Sequence, residues 1–274
     1  MNTGMKHIDL DGRKRIQLEI LDSIHVFCTE NSIKYSLGYG TLLGAIRHGG
    51  FIPWDDDIDV IMLREDYSKF ESLFPKIYAG RYSFGSIGRD LEWPLPFGKV
   101  YDTHTLVFEH KANVSPIGVS IDVFPLDSIP DSNFKFLFYR TYFKFLCYCS
   151  RMKVFKNTNK TSFLKRVIAI VSRFALSIVS NKRLIRYIDL KSKRVSKCGG
   201  NRVYYLPSSG YCRPVPLSWF SPIIMIQFEG KEYCSVNNPD GYLKAIYGLD
   251  YMIPPNIEDR VSYHTNDAYW KDRY

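Results

Sequence analysis

Residues 38–63, GYGTLLGAIRHGGFIPWDDDIDVIML, constrain this chain more than any other stretch. It opens on a Gly-flanked turn, Gly38-Tyr39-Gly40. Thr41 follows as a candidate N-cap for one or two helical turns over residues 42–46. Arg47-His48-Gly49-Gly50 closes that run. Phe51-Ile52-Pro53-Trp54 then leads into five residues carrying four carboxylates, Asp55, Asp56, Asp57 and Asp59. Residues 58–63 read as a short apolar strand with the acidic cluster at its mouth. Two-residue periodicity puts Asp57 and Asp59 on one face if both are extended. Like charges this close repel, and a cation between them relieves the repulsion. All-carboxylate ligands suit a hard ion such as Mg2+ or Mn2+. The plain alternative is a solvated acidic turn, but Ile52, Trp54, Ile58, Val60 and Ile61 surround the charges with apolar mass.

The 274 residues suffice for one large domain or two small ones, and 45 % hydrophobic content supports a real core. The first nineteen residues are polar and charged, unlike a secretory leader. No uncharged apolar run reaches membrane-spanning length. The six cysteines are scattered, and without a secretion signal reduced thiols are expected; Cys147-x-Cys149 has no second pair to complete a zinc set. The net charge of +9 is concentrated. Residues 151–202 hold fifteen Lys or Arg against one acid, Asp189, which leaves the remainder mildly acidic. Such a segment fits a nucleic acid, a membrane surface or a polyanionic substrate. No nucleic-acid-binding module is recognisable, and none is expected as a partner.

Periodicity predicts a helix over 11–31, with Ile16, Ile20, Ile24 and Phe27 on one face, then a strand over 33–37. A helix follows over 65–78. Strands are expected at 82–84, 97–101 and 106–108, the last two as a hairpin. Lys99 has two readings, an edge-strand surface lysine or a counter-charge pointing into the acidic cleft. In the strand 118–124, Asp122 sits among Ile121, Val123 and Phe124, where an unpaired charge is costly. It is the natural third carboxylate beside Asp57 and Asp59. Pro125-Leu126-Asp127 ends that strand, with Asp127 bracing the turn. Residues 134–152 are helical and aromatic-rich. Residues 163–188 read either as a helical pair finishing the core or as a basic amphipathic surface lying on anionic lipid. A strand pair at 223–228 and 231–236 and a short helix at 241–247, capped by residues 237–240, complete the chain.

Three carboxylates, a Gly-flanked helix start for phosphate oxygens, and positive charge from Arg47 and Lys99 suit phosphoryl or nucleotidyl transfer. No P-loop, nucleophile elbow, HExxH or kinase signature is present. A metal-dependent glycosyltransferase is the strongest rival on chemistry alone.

YGTLLGAIRHGGFIPWDDDIDVIMLREDY (39–67) closely resembles the signature of LicD family proteins, which are similar to fukutin and fukutin-related protein. The resemblance continues through IDVFPLD (121–127), FEGKEYCSVNNPDGYLKAIYGLDYMIPP (228–255) and His264, with residues 129–200 its least diagnostic part. It implies an α+β fold, a nucleotidyltransferase-like mixed sheet flanked by helices with an added basic helical region. The expected division is a catalytic core at 1–130, a basic insertion for membrane or acceptor docking at 131–202, and a C-terminal part at 203–274 completing the catalytic domain. The resemblance further implies an Mg2+- or Mn2+-dependent phosphocholine transferase using CDP-choline. Phosphocholine would pass to a sugar hydroxyl of a lipid-linked glycan precursor, teichoic acid or lipopolysaccharide-like, with release of CMP. The family's Gly motif falls on Gly40-Thr41, its Asp-x-Asp pair on Asp57 and Asp59, and its later carboxylate on Asp122. Asp55 and Asp56 then stand behind the metal or beside the nucleotide. The expected location is cytoplasmic, peripheral on the inner face of a bacterial plasma membrane. CDP-glycerol or CDP-ribitol as donor, or a silent scaffold, are the alternatives. Choline calls for an aromatic cage, for which Trp93, Tyr101, Tyr205, Tyr211 and Trp219 are candidates.

Overall fold

In chain order, β1 (His7–Ile8) precedes α1 (Leu10–Glu30), whose start Asp9 caps by accepting the Gly12 N–H at 2.7 Å. Ile16, Ile20, Leu21, Ile24, Phe27 and Cys28 line the buried face of α1, at the spacing the sequence predicts. Each such side chain contributes about 1.5–3 kcal/mol on burial. Next come β2 (Ser36–Leu37), α2 (Tyr39–His48), β3 (Asp59–Leu63), α3 (Arg64–Ile77), β4 (Tyr82–Gly85), β5 (Gly98–Asp102), β6 (Thr105–Phe108) and β7 (Ser120–Ile129). The helices α4 (Asn133–Val154) and α5 (Asn181–Lys197) follow. The chain continues through β8 (Arg202–Tyr204), β9 (Val215–Pro216), β10 (Ile224–Phe228), β11 (Lys231–Ser235), α6 (Pro239–Tyr247) and β12 (Asp267–Trp270). This is a computed structural model, and it describes residues 5–78, 80–90, 93–108, 115–154, 180–208, 212–260 and 267–271.

The fold is mixed α+β. The main sheet runs β2-β3-β7-β5-β4, and β7 continues into a pairing with β8, which pairs β9. β3 and β7 are parallel, and the other neighbours are antiparallel. The helices α1 and α3 pack onto this sheet. β1, β12 and β6 form a second small sheet, and β10 and β11 form a hairpin. One apolar core joins α1, α2 and α3 to the main sheet, and a second joins α4 and α5 to β8. All six cysteines are free thiols.

Four expectations are corrected. Thr41 does not cap α2. The helix starts three residues earlier, at Tyr39, with Gly38 as its N-cap, and Thr41 turns inward. Of the strand expected at 33–37, only Ser36 and Leu37 pair. The strands at 98–102 and 105–108 do not form a hairpin, because β5 pairs β4 and β7 while β6 pairs β12. Nor does Pro125 end β7. It falls between the end of the β5 pairing at Val123 and the start of the β8 pairing at Asp127, so its missing N–H breaks neither of those ladders. Residues 155–179, with Lys165, Arg166 and Arg173 of the basic segment, lie outside the described residues, as do Tyr211 and His264.

Asp127 has a structural role. It is fully buried and takes Arg64 in two hydrogen bonds of 2.7 Å. Arg64 also reaches Asp189 at 3.0 Å, and Asp189 takes Lys193 at 2.8 Å. The single acid of the basic segment thus ties α5 to α3 and β7.

Candidate active site

The Gly-flanked turn and the acidic strand are locked together by two hydrogen bonds. Gly38 donates its N–H to the Asp59 carbonyl at 2.9 Å, and the Asp59 N–H donates to the Thr41 hydroxyl at 2.8 Å. The start of α2 is thereby fixed over the mouth of β3. Gly40 lies so close to Asp55 that a Cβ there would stand 2.8 Å from the Asp55 Oδ2. Tyr39 between the glycines takes a positive φ of 42°, uncommon for an aromatic residue. Its ring is held against Phe124 and Tyr242 at centroid distances of 5.2 and 6.5 Å.

The loop before the acidic cluster is braced from the far end of the chain. The β10–β11 turn at Glu229-Gly230 has φ values of 49° and 76°. Its tip donates the Glu229 N–H to the Gly49 carbonyl at 2.9 Å, and the Glu229 Oε1 accepts the Phe51 N–H at 2.9 Å. This contact explains the position of the FEG motif.

The sheet register sets out the charges. Asp59 of β3 pairs with Asp122 of β7, and Asp122 pairs with Lys99 of β5. Residues directly opposite on adjacent strands share a face, so Lys99, Asp122 and Asp59 form a row across three strands. The Lys99 ammonium lies 2.5 Å from the Asp122 Oδ1, the cleft-facing of its two readings. Asp57 and Asp59 reach the same cavity, of about 430 Å3, together with Asp122. Burial pushes the Asp59 carboxyl well above its ordinary value, the charges of Asp57, Asp122 and Asp55 add to the effect, and Lys99 opposes it. Asp55 is pushed up to about 7, first by burial and then by Asp57. Asp56 turns away from this cavity to a salt bridge of 2.8 Å with Arg13 of α1. A smaller cavity of about 70 Å3 on that side shares Asp57 and Asp122 with the large one and is bordered by Arg13 and Lys99.

Hard oxygen donors crowded enough to raise one another's proton affinity are the donor set a divalent cation suits. Among the described residues, however, no three His, Cys, Asp or Glu side chains are gathered into a ready-made metal centre. Lys99 is the cation that stands against Asp122.

The rest of the lining of the large cavity is mainly aromatic and apolar, with Tyr39, Phe97, Phe124, Tyr205, Pro96 and Pro207. The Phe97 and Phe124 rings lie 4.5 Å apart, and Phe124 and Tyr205 lie 5.2 Å apart, edge to face. Burial raises the Tyr39 and Tyr205 phenols well above their ordinary value, which keeps both neutral. Of the five aromatic candidates from sequence, Tyr205 lines the cavity. Trp93 is buried, donating its indole N–H to the Phe97 carbonyl at 2.8 Å, and Trp219 packs close to Gly241. Tyr101 is half-buried in β5 and does not line the cavity. Sequence reasoning missed Tyr39, whose signal was its place between two motif glycines, and Phe97 and Phe124, which carried none beyond strand alternation. It also missed Ser150 and Arg151 of α4, which line the cavity. Arg47 is at the other end of α2 from Gly40, donating to the Tyr251 carbonyl at 2.9 Å.

A family model described as LicD/FKTN/FKRP, nucleotidyltransferase domain, matches residues 32–145, which span the turn, the acidic cluster and Asp122. Over 277 aligned residues the chain is 31 % identical to the lipopolysaccharide cholinephosphotransferase LicD of Haemophilus influenzae, covering 97 % of this chain and 99 % of that protein. The chain belongs to the LicD family. A local match of 41 residues, 49 % identical, links it to the ribitol 5-phosphate transferase FKRP of Homo sapiens, over 15 % of this chain and 8 % of that protein. The LicD relationship makes this chain an enzyme of the nucleotidyltransferase superfamily. Asp59 and Asp122, paired across the parallel β3 and β7, both lie within the residues that the family model matches.

Proposed function

We propose that this LicD family enzyme transfers phosphocholine from CDP-choline to a sugar hydroxyl of a lipid-linked, cell-surface glycan precursor, releasing CMP. The observation that carries the reading is one cavity lined both by carboxylates and by neutral aromatic rings. Carboxylates are where a cation-held diphosphate belongs, and ring faces suit a quaternary ammonium. The whole-length likeness to a protein named as a cholinephosphotransferase supports the same choice.

Asp57, Asp59 and Asp122 would hold Mg2+ or Mn2+, which supplies charge neutralisation for the donor diphosphate when bound. The residues of the chain do the rest. Gly40 and Thr41 shape the turn over which the nucleotide phosphates lie. Arg151 in the cavity lining supplies further positive charge, and Lys99 holds the Asp122 carboxylate in place. The acceptor oxygen attacks the phosphorus that bears choline, and the bond from that phosphorus to the oxygen bridging to CMP breaks. The acceptor proton passes to Asp122, and CMP departs with the bridging oxygen. Action at the cytoplasmic face of a membrane belongs to this reading. No described helix is long and apolar enough to cross a membrane.

A CDP-ribitol donor is the second reading, favoured by the 41-residue likeness to a ribitol 5-phosphate transferase. The deciding experiment incubates the purified chain with CDP-choline, CDP-ribitol or CDP-glycerol, with Mg2+ or EDTA, and measures CMP. The expected result is CMP release from CDP-choline at least tenfold faster than from the others, lost in EDTA. Turnover of CDP-ribitol alone, or undiminished turnover in EDTA, overturns the proposal.

A further inference from the structure

The helix α4 is apolar on two opposite faces. Phe136, Phe143, Cys147 and Ser150, at spacings of seven, four and three, are buried. Half a turn away, Phe134, Leu137, Phe138, Phe145 and Tyr148 follow one another at spacings that keep them on a single stripe. All five are exposed, Phe134 at 83 %, Phe138 at 63 % and Phe145 at 61 %. A helix that is apolar all round normally has apolar surroundings on both sides. One exposed Phe needs no explanation, but a row along a 22-residue helix, about 33 Å at 1.5 Å per residue, marks an interaction surface.

Charge selects the partner. Lys135, Lys144 and Arg151 are exposed on α4, at positions between the two apolar faces, and α4 carries no acid. Lys182, Arg183 and Arg186 are exposed on the adjoining α5. The two helices together hold twelve Lys or Arg against Asp189, which is engaged by Arg64 and Lys193. A second copy of this chain docking through the same face would bring like charges together. An anionic lipid surface is complementary in both respects, taking aromatic side chains below the headgroups and basic ones among them. The charges on α4 keep it from crossing the bilayer, so the fitting geometry is a helix lying in the interface.

We propose that α4 is the docking surface of this enzyme on anionic membranes, with Phe134, Leu137, Phe138, Phe145 and Tyr148 inserted and the basic residues of α4 and α5 on the headgroups. The inner face of α4 brings Cys147 and Ser150 to the large cavity, and the neighbouring Arg151 also lines it. The same helix therefore joins the lipid surface to the site, and this holds whichever donor the site takes.

The test is flotation of the full chain with vesicles of phosphatidylglycerol and phosphatidylcholine, against phosphatidylcholine alone. The wild type is expected to float with the anionic vesicles. The variant Phe134→Ser/Phe138→Ser/Phe145→Ser should lose at least tenfold in bound fraction with an unchanged melting temperature. Lys135→Gln/Lys144→Gln should weaken binding and flatten its salt dependence. Independently, Phe138→Trp should show a blue-shifted emission quenched by brominated anionic lipid. The proposal is overturned if the wild type stays at the bottom of the gradient, or if the serine variant floats like the wild type. It also fails if phosphatidylcholine vesicles bind equally well, or if brominated lipid leaves the added indole emission of the Phe138→Trp variant unquenched. A wild-type dimer in light scattering that the serine variant dissociates would overturn it as well.

Discussion

The Lys99 ammonium sits 2.5 Å from the Asp122 Oδ1, and the register that pairs these two residues also sets Asp122 beside Asp59. Three charges from three strands thus lie in one row, with the single positive group at one end. The arrangement makes the carboxylates interdependent. Removing any one alters the electrostatic position of the others.

Asp59→Asn removes a carboxyl that burial and its neighbours already disfavour as an anion. CMP release is expected to fall by about 10³, equivalent to ~4 kcal/mol of transition-state stabilisation. Thermal melting at neutral pH should stay level or rise, because like-charge repulsion is relieved. A large drop in melting temperature would instead mark Asp59 as a structural residue.

Lys99→Ala takes away the ammonium beside Asp122. A loss in kcat of about 10² is expected, the range of a lost positioning or acid–base contribution. Lys99→Arg should recover part of it, because the charge is kept and its placement changed. Steady-state CMP release for the two variants is the measurement.

Phe124→Ala and Tyr205→Leu thin the aromatic wall. A cation held over a ring contributes about 0.5–2 kcal/mol, so KM for CDP-choline should rise about three- to thirtyfold. Hydrolysis of a CDP-alcohol without a quaternary ammonium should change much less. Comparing the two substrates separates lost cation recognition from general disruption of the cavity.

Glu229→Ala unfastens the Phe51 N–H from the β10–β11 turn. A fall in kcat of about tenfold is expected, since loss of one charge-assisted hydrogen bond is worth roughly 1.5–3 kcal/mol and only part of it reaches the site. Glu229→Gln keeps the accepting oxygen and should restore most activity. Equal loss in both variants would show that the carboxylate's charge, and not the bond to Phe51, is what matters.

Arg64→Met leaves the Asp127 carboxyl buried without its two hydrogen bonds and releases Asp189. Breaking a buried pair from one side costs about 3–5 kcal/mol, which urea unfolding should report. The double variant Arg64→Met/Asp127→Leu should recover part of that loss, because no buried charge then remains.

The acidic cluster was legible because its members are adjacent in sequence, and Asp122 because a charge inside an apolar strand is conspicuous. The division of labour among them was not legible. Asp56 is taken by Arg13, which lies 43 residues earlier on α1. The cleft-facing role of Lys99 depended on a strand register that no local pattern encodes. The aromatic wall was beyond reach for a similar reason. Tyr39, Phe97, Phe124 and Tyr205 come from separate segments, and among 38 Tyr and Phe residues composition does not single them out.

The stretch 38–63 by itself determined a turn, a helix and an acid-headed strand, since hydrophobic period and glycine placement are local properties. It did not determine that Thr41 would hold the Asp59 backbone rather than cap a helix. Tertiary structure decided that, along with the continuation of β7 through Pro125 and the use of Asp189 to tie a basic helix to the main sheet. Each of these is a hydrogen bond or ion pair between groups distant in sequence. Its formation depends on the packing of the whole sheet, and no window of neighbouring residues contains that information.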